Sequence, residues 1–246
     1  MIAILSPAKT IRLFNSDIQT TKPQFLSKTE ILLNQLKELS AWQLESLMKI
    51  NPKLALRAFQ SFSDFDVSNQ GVPAVFAYDG LVYKYLNSDD FSDDDLKFAD
   101  SSLRILSAFY GVLRPLDGIL PYRLEMQTRL KIDNKNLYEF WEDDIYKSVI
   151  SDSQVIINLA SKEYSRCIKN YLKPCDKVID IDFLANKKRK LKTIVAWAKM
   201  ARGEMARYII KNRVTNPHKL KNFSGDYEFI PKFSSDDKYT FIYNGS

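Results

Sequence analysis

Apolar and polar positions follow two rhythms along this chain. Short runs rich in branched apolar residues read as strands: MIAIL at the start, AVFAYD near 76, VIINLA near 157, VIDIDF near 180, LKTIVAWA near 194, then YEFI and YTFIY. Between them apolar residues recur at helical spacing over about 28–39, 42–49, 53–62, 93–110, 136–150, 161–171 and 201–213. Strands interleaved with helices predict a mixed α/β (α+β) chain whose first and last strands meet in one mixed sheet surrounded by helices. No internal repeat, low-complexity tract or Gly/Ser linker interrupts it, so 1–246 is expected to be a single domain, with 25–62 as a helical sub-lobe.

The densest chemistry lies in Leu106–Met126, LSAFYGVLRPLDGILPYRLEM. Leu103, Leu106, Phe109 and Tyr110 at helical spacing, with Gly111 behind them, predict a helix that ends at a left-handed glycine. Pro115, the Asp117-Gly118 turn pair and Pro121 then impose a rigid loop. This loop is expected to hold Arg114, Asp117, Tyr122, Arg123 and Glu125 close together. Two readings stay open: an internal lattice in which Arg114 and Arg123 tie down Asp117 and Glu125, or guanidinium groups held out for a phosphodiester or carboxylate.

Charge is unevenly distributed. The net value is +6, but Lys162–Lys221 holds 17 Lys and Arg against 5 Asp and Glu, leaving the rest of the chain acidic. Lys187, Lys188, Arg189 and Lys190 form the densest run, at the tip of a hairpin predicted to turn at Asn186. The basic field continues through Lys199, Arg202, Arg207, Lys211 and Arg213, which favours a polyanionic partner such as DNA. The acidic stretch Asp89-Asp90 and Asp93-Asp94-Asp95 is expected to supply first-turn charges to the helix running to Tyr110.

Three further segments carry candidate chemistry. Leu44–Ala55 follows the spacing of a DNA-binding helix-hairpin-helix: Leu44 and Leu47 in a first helix, Ile50 in the hairpin, Pro52 opening the second. Its outward amides, with Lys49, Asn51 and Lys53, could hold a backbone phosphate. Lys49 and Asn51 replace the hairpin glycines, and lysine tolerates a left-handed backbone poorly. Ser6-Pro7-Ala8-Lys9-Thr10 follows the first strand, where α/β proteins place ligand groups; Lys9 is a candidate phosphate contact or nucleophilic amine. Ser161 reads as a helix cap with Glu163 in the first turn, and Ala198–Gly203 sets Lys199 and Arg202 among small residues that leave them open.

Two cysteines, Cys167 and Cys175, and one histidine, His218, are too few for a zinc, haem or iron–sulfur site, so no cofactor or metal is expected. No window is apolar enough to span a membrane, and MIAIL meets Ser6-Pro7 too soon for a signal peptide. A cytoplasmic, soluble monomer is expected.

The blocks SPAKT at 6–10, LMKI and PKLA within 47–55, AYDGLVY at 77–83, FYGVLRPLDGILPYRLEM at 109–126, LYEFW at 137–141, NLAS and EY within 158–164, and AKMARG leading into NRVTNP at 198–217 together resemble the bacterial YaaA family of peroxide-stress proteins. The resemblance implies a fold peculiar to that family, with a positively charged cleft and a helix-hairpin-helix that bind duplex or distorted DNA. It also implies a role in the response to hydrogen peroxide, limiting intracellular iron and so protecting DNA.

Two functional readings follow. The first is a non-enzymatic DNA-binding protein that grips phosphates near 49–55 and along Lys162–Lys221. The rival is an enzyme acting on damaged DNA, with Lys9 attacking a sugar carbon and Asp117 or Glu125 shuttling protons. A third, weaker reading is a basic surface for RNA or an acidic protein.

Overall fold

A computed structural model of the chain describes residues 1–12, 14, 18–187 and 190–245. Its strands are β1 (Ile2–Leu5), β2 (Thr10–Ile11), β3 (Val72–Pro73), β4 (Tyr78–Asp79), β5 (Leu103–Ser107), β6 (Gly111–Leu113), β7 (Gly118–Ile119), β8 (Val155–Asn158), β9 (Lys177–Lys187), β10 (Lys190–Lys192), β11 (Tyr227–Phe229) and β12 (Lys238–Tyr243). Its α-helices are α1 (Leu26–Lys37), α2 (Ala41–Met48), α3 (Pro52–Ser63), α4 (Ala74–Ala77), α5 (Leu81–Leu86), α6 (Asp93–Ser102), α7 (Leu137–Trp141), α8 (Asp144–Asp152), α9 (Lys162–Lys169) and α10 (Val195–Lys211).

Eight strands form one mixed sheet in the order β11-β12-β9-β8-β1-β5-β6, with β10 hydrogen-bonded to the far end of β9. From β12 to β5 the strands are parallel, and β6 and β11 add antiparallel edges. Ala3 pairs with Leu103 on one side and Ile157 on the other, so the first strand lies between partners from distant parts of the chain. Helices cover both faces, and β1 is buried at every position, as parallel strands under helical layers must be. The mixed α/β architecture expected from the sequence is the one observed.

Four predicted elements differ, and of these the helix expected over 136–150 is two, α7 and α8, parted at Glu142, φ 49°. The helix expected over 93–110 stops at Ser102, and Leu103–Ser107 continues as β5, a strand buried at every position. Ser107 Oγ accepts from the amides of Phe109 and Tyr110, at 3.1 and 3.0 Å, and turns the chain sharply towards β6. Gly111 does take a left-handed backbone, φ +74°, but it opens β6 instead of ending a helix, and a Cβ there would lie 2.7 Å from the Trp141 ring. AVFAYD is a helical turn, α4, followed by the two residues of β4. Of LKTIVAWA only Leu191 and Lys192 are strand, as the end of β10; the chain enters α10 at Val195. The hairpin does not turn at Asn186, because β9 runs on to Lys187; Lys188 and Arg189 lie outside the described residues.

The helices of 25–62 share the main core through Leu32, Leu36, Leu44, Ala58 and Phe62. α2 and α3 meet at a tight turn in which Lys49 is left-handed, φ 52°. The strained position thus falls on the residue least suited to it, while Asn51 is extended and caps α3 by accepting from Leu54 N at 2.9 Å.

Candidate functional site

Strand order reverses between β1 and β8: from β1 the chain crosses to β5 on one side, and β8 and β9 follow on the other. Loops leaving two such strands part from each other and open a crevice at their carboxyl ends, the usual ligand position in open α/β sheets. A cavity of about 400 Å³ occupies that place. Ser6–Thr10 after β1, Leu159, Ser161 and Glu163 after β8, and Tyr122–Glu125 from the long loop line it. The start of α5 and the α10 residues Lys199 and Arg202 complete the wall.

Each wall is fixed locally. Ser161 opens α9 without capping it through its side chain, contrary to the reading from sequence. Its Oγ accepts instead from Ser6 Oγ at 3.2 Å, and its amide donates to Ser6 Oγ at 2.8 Å, which pins the β1 loop to the β8 loop. Tyr83 OH adds a bond to Ser6 O at 2.9 Å. Below, Ser107 Oγ, Tyr122 OH and Tyr78 OH form a buried chain with 2.7 Å links, which sets the Tyr122-Arg123 segment on a rigid floor. Gly203 lets α10 approach α5 closely: a Cβ there would lie 2.1 Å from Val82 O.

The charged groups divide clearly. Glu125 is held by two cations, Lys9 Nζ at 2.6 Å and Arg123 Nη2 at 3.2 Å. Glu163 accepts from Gln127 N at 3.2 Å, and burial raises its pKa, with the neighbouring Glu125 pushing the same way. Arg202 is half-buried, less open than its small neighbours suggested. Burial lowers its pKa, and Asp182 opposes that shift. The Nε atoms of Arg123 and Arg202 are both buried without a partner among the described residues.

Of the residues singled out from sequence, Lys9, Arg123, Glu125, Lys199 and Arg202 share this cavity. Arg114 and Asp117 do not line it. Arg114 faces Asp100 at 3.7 Å and Asp117 at 3.9 Å, and Asp117 accepts from Thr21 Oγ1 at 2.6 Å and Arg114 N at 2.7 Å. The loop therefore serves both readings at once, a lattice around Arg114 and a charged wall around Arg123. Lys49, Asn51 and Lys53 are exposed on the α2–α3 turn, apart from the cavity lining.

The basic field is also interrupted. Arg207 and Lys211 bind Asp90 and Lys211 and Arg213 bind Asp95, so the acidic stretch neutralises the end of α10. Lys187, Lys190, Lys192 and Lys199 are exposed and have no acidic partner among the described residues. Sequence reasoning missed the Ser6–Ser161 pairing, the half-buried Glu163 in the cavity wall and the tyrosines around Tyr122 as one assembly. The only signal was that each follows a strand or a rigid turn.

Fold and site together define a class: an α/β protein with a cationic, tyrosine-walled crevice where its parallel sheet reverses order. The model of the family described as Peroxide stress protein YaaA matches residues 1–232. A UPF0246 protein of Agathobacter rectalis is 45% identical over 98% of both chains. One from Clostridium perfringens is 45% identical over 98% of this chain and 99% of its own, and one from Lactobacillus acidophilus is 41% identical over 98% and 96%. The chain belongs to the YaaA family of peroxide stress proteins, which ties it to the response to peroxide. Among the described residues no helix is long and apolar enough to cross a membrane.

Proposed function

We propose that this protein acts in peroxide stress by binding DNA through its phosphate backbone. One observation carries the reading: Lys187, Lys190 and Lys192, without an acidic partner among the described residues, stand on the β9–β10 hairpin. Because β9 runs parallel to β1 and β8, its far end leaves the sheet on the side of the cavity, where Lys199 is also exposed. Cations that no carboxylate holds are free to replace the counterions of a polyanion. The α2–α3 turn adds Lys49 and Lys53 beside the first amides of α3, in keeping with a helix-hairpin-helix contact to phosphate. The limitation of iron that the family resemblance implies is read as an indirect consequence of this binding.

With about six phosphates neutralised, log affinity for duplex DNA falls against log salt with a slope near −5. Changing Lys187, Lys190 and Lys192 together to Glu brings the slope to about −3. No binding at low salt, or a slope the triple variant leaves unchanged, removes the reading.

A second reading, an enzyme acting on damaged DNA, draws on the cavity's unlike carboxyl groups. Glu125 is ion-paired to Lys9, whereas Glu163 is pushed towards its protonated form. Asp117, bonded away from the cavity, drops out of this scheme and Glu163 takes its place as proton donor. Borohydride traps a covalent adduct on abasic DNA if Lys9 is the nucleophile. No adduct, or one that persists in Lys9→Ala, discards the scheme.

A further inference from the structure

The cavity holds more cationic hydrogen-bonding capacity than the protein itself uses. A guanidinium offers five donors, yet that of Arg202 has no hydrogen bond or ion pair among the described residues, and its Nε is buried. Arg123 gives one Nη2 bond to Glu125 and leaves its own buried Nε unpartnered. Buried donors without partners are rare because each forfeits the bonds it had in water, and the Nη donors of the same two guanidinium groups, at the cavity wall, are the ones an acceptor entering from outside would reach.

The chemistry of that acceptor follows from the walls. Planar guanidinium groups match phosphate oxygens two at a time. A volume of about 400 Å³ suits a ligand of nucleotide size and is far too small for a duplex. Tyr83, Tyr122 and Tyr164, with Leu81 and Val82, offer aromatic and apolar surface to a flat ring. Glu163, driven towards its neutral form by burial, adds little negative charge against a phosphate and can donate to a ring acceptor.

We propose that this cavity is a subsite for a single nucleotide, its phosphate held between Arg202 and Arg123 and its base against the tyrosine wall. The same chemistry has two sources, a free nucleoside monophosphate or one nucleotide unstacked from a strand. The subsite goes beyond backbone binding, because it requires a ligand inside the crevice and not on the hairpin.

Titration calorimetry of the full-length protein with 5′-dAMP, adenosine and inorganic phosphate tests it. Saturable binding of 5′-dAMP is expected, tighter than either fragment alone and weakened about tenfold or more in Arg202→Met and in Arg123→Met. A duplex with one bulged nucleotide separates the sources. If Arg202→Met also weakens the bulged duplex relative to the perfect one, the unit comes from a strand; if only 5′-dAMP is affected, it is free. No saturable heat from the wild-type protein up to about 10 mM 5′-dAMP, or phosphate bound as tightly as the nucleotide, overturns the proposal. Duplex affinity that persists alongside that result leaves the backbone reading intact and sinks the subsite alone.

Discussion

Asp117 and Glu125 are carboxylates of the same loop put to opposite uses. Asp117 is 2% exposed, and both its oxygens are taken up by Thr21 and the Arg114 amide, while its carbonyl accepts from Ala74 N at 2.9 Å. Burial pushes its carboxyl pKa up, and the two hydrogen bonds pull the other way. It is a joint between the loop and the segment around Thr21, and removing it would leave buried donors unmatched at a cost of about 1–3 kcal/mol. Glu125 faces the cavity with Lys9 and Arg123. Residue types showed that this loop is charged and rigid, but not where it divides. The pairing of Gly118–Ile119 with Val72–Pro73 keeps Arg114 and Asp117 beside Thr21, and only after Pro121 does the chain reach the crevice. The five residues that do converge were legible because each follows a strand end, a breaker or a small-residue helix face. Glu163 was legible only as a first-turn helix charge, since its contact with the Gln127 amide joins segments far apart in the sequence.

At the level of elements, legibility followed the presence of a wet face. α2 and α3 have one, with Ser40 and Asn51 as caps, and their limits lie close to the predicted ones. β5 has none: Leu103 to Ser107 are all buried, so no polar alternation betrays a strand and its leucines pass for the next turns of α6. α10 misled in the opposite way. Its opening Val195 and Trp197 are β-favouring but exposed, while Ala198, Ala201, Met205 and Ile209 carry the helical spacing into the core. Within α10, Gly203 sets two effects against each other. Alanine would raise helix propensity by about 1 kcal/mol, yet its Cβ would meet Val82 O at 2.1 Å and Leu86 N at 2.9 Å, both backbone atoms that cannot swing aside. Overpacking wins. Gly203→Ala should lose about 1–3 kcal/mol in urea unfolding, and by lifting Arg202 from the α5 rim it should weaken anion binding. Unchanged stability would mean that the α5–α10 contact is softer than drawn.

For the molecule as a whole, part of the basic third is an internal counterweight and not a surface. Asp90 and Asp95 hold Arg207, Lys211 and Arg213, and these partners keep both carboxyl pKa values below the ordinary carboxylate range. An acid whose folded pKa is depressed adds stability that is fully present above its unfolded value near 4 and is lost as pH falls through the folded value. Glu163 and Asp117, raised by burial, act in the opposite sense, since acid relieves the strain of keeping them charged. The expected net result is a melting temperature that falls from about pH 5 to about pH 2, with a shallower fall and a lower value at pH 7 in Asp95→Asn. A variant whose pH profile overlays the wild type would show that the network adds nothing.

The position of β1 has a consequence during synthesis. Its four apolar residues are made before either partner, and its two hydrogen-bonding edges stay open until residues 103–105 and then 156–158 have followed. For that interval the nascent polypeptide carries an unpaired, greasy strand of the kind that trigger factors and other holdases shield. Covering both edges of β1 therefore waits for β8, a partner far along the chain, and not for any local folding step.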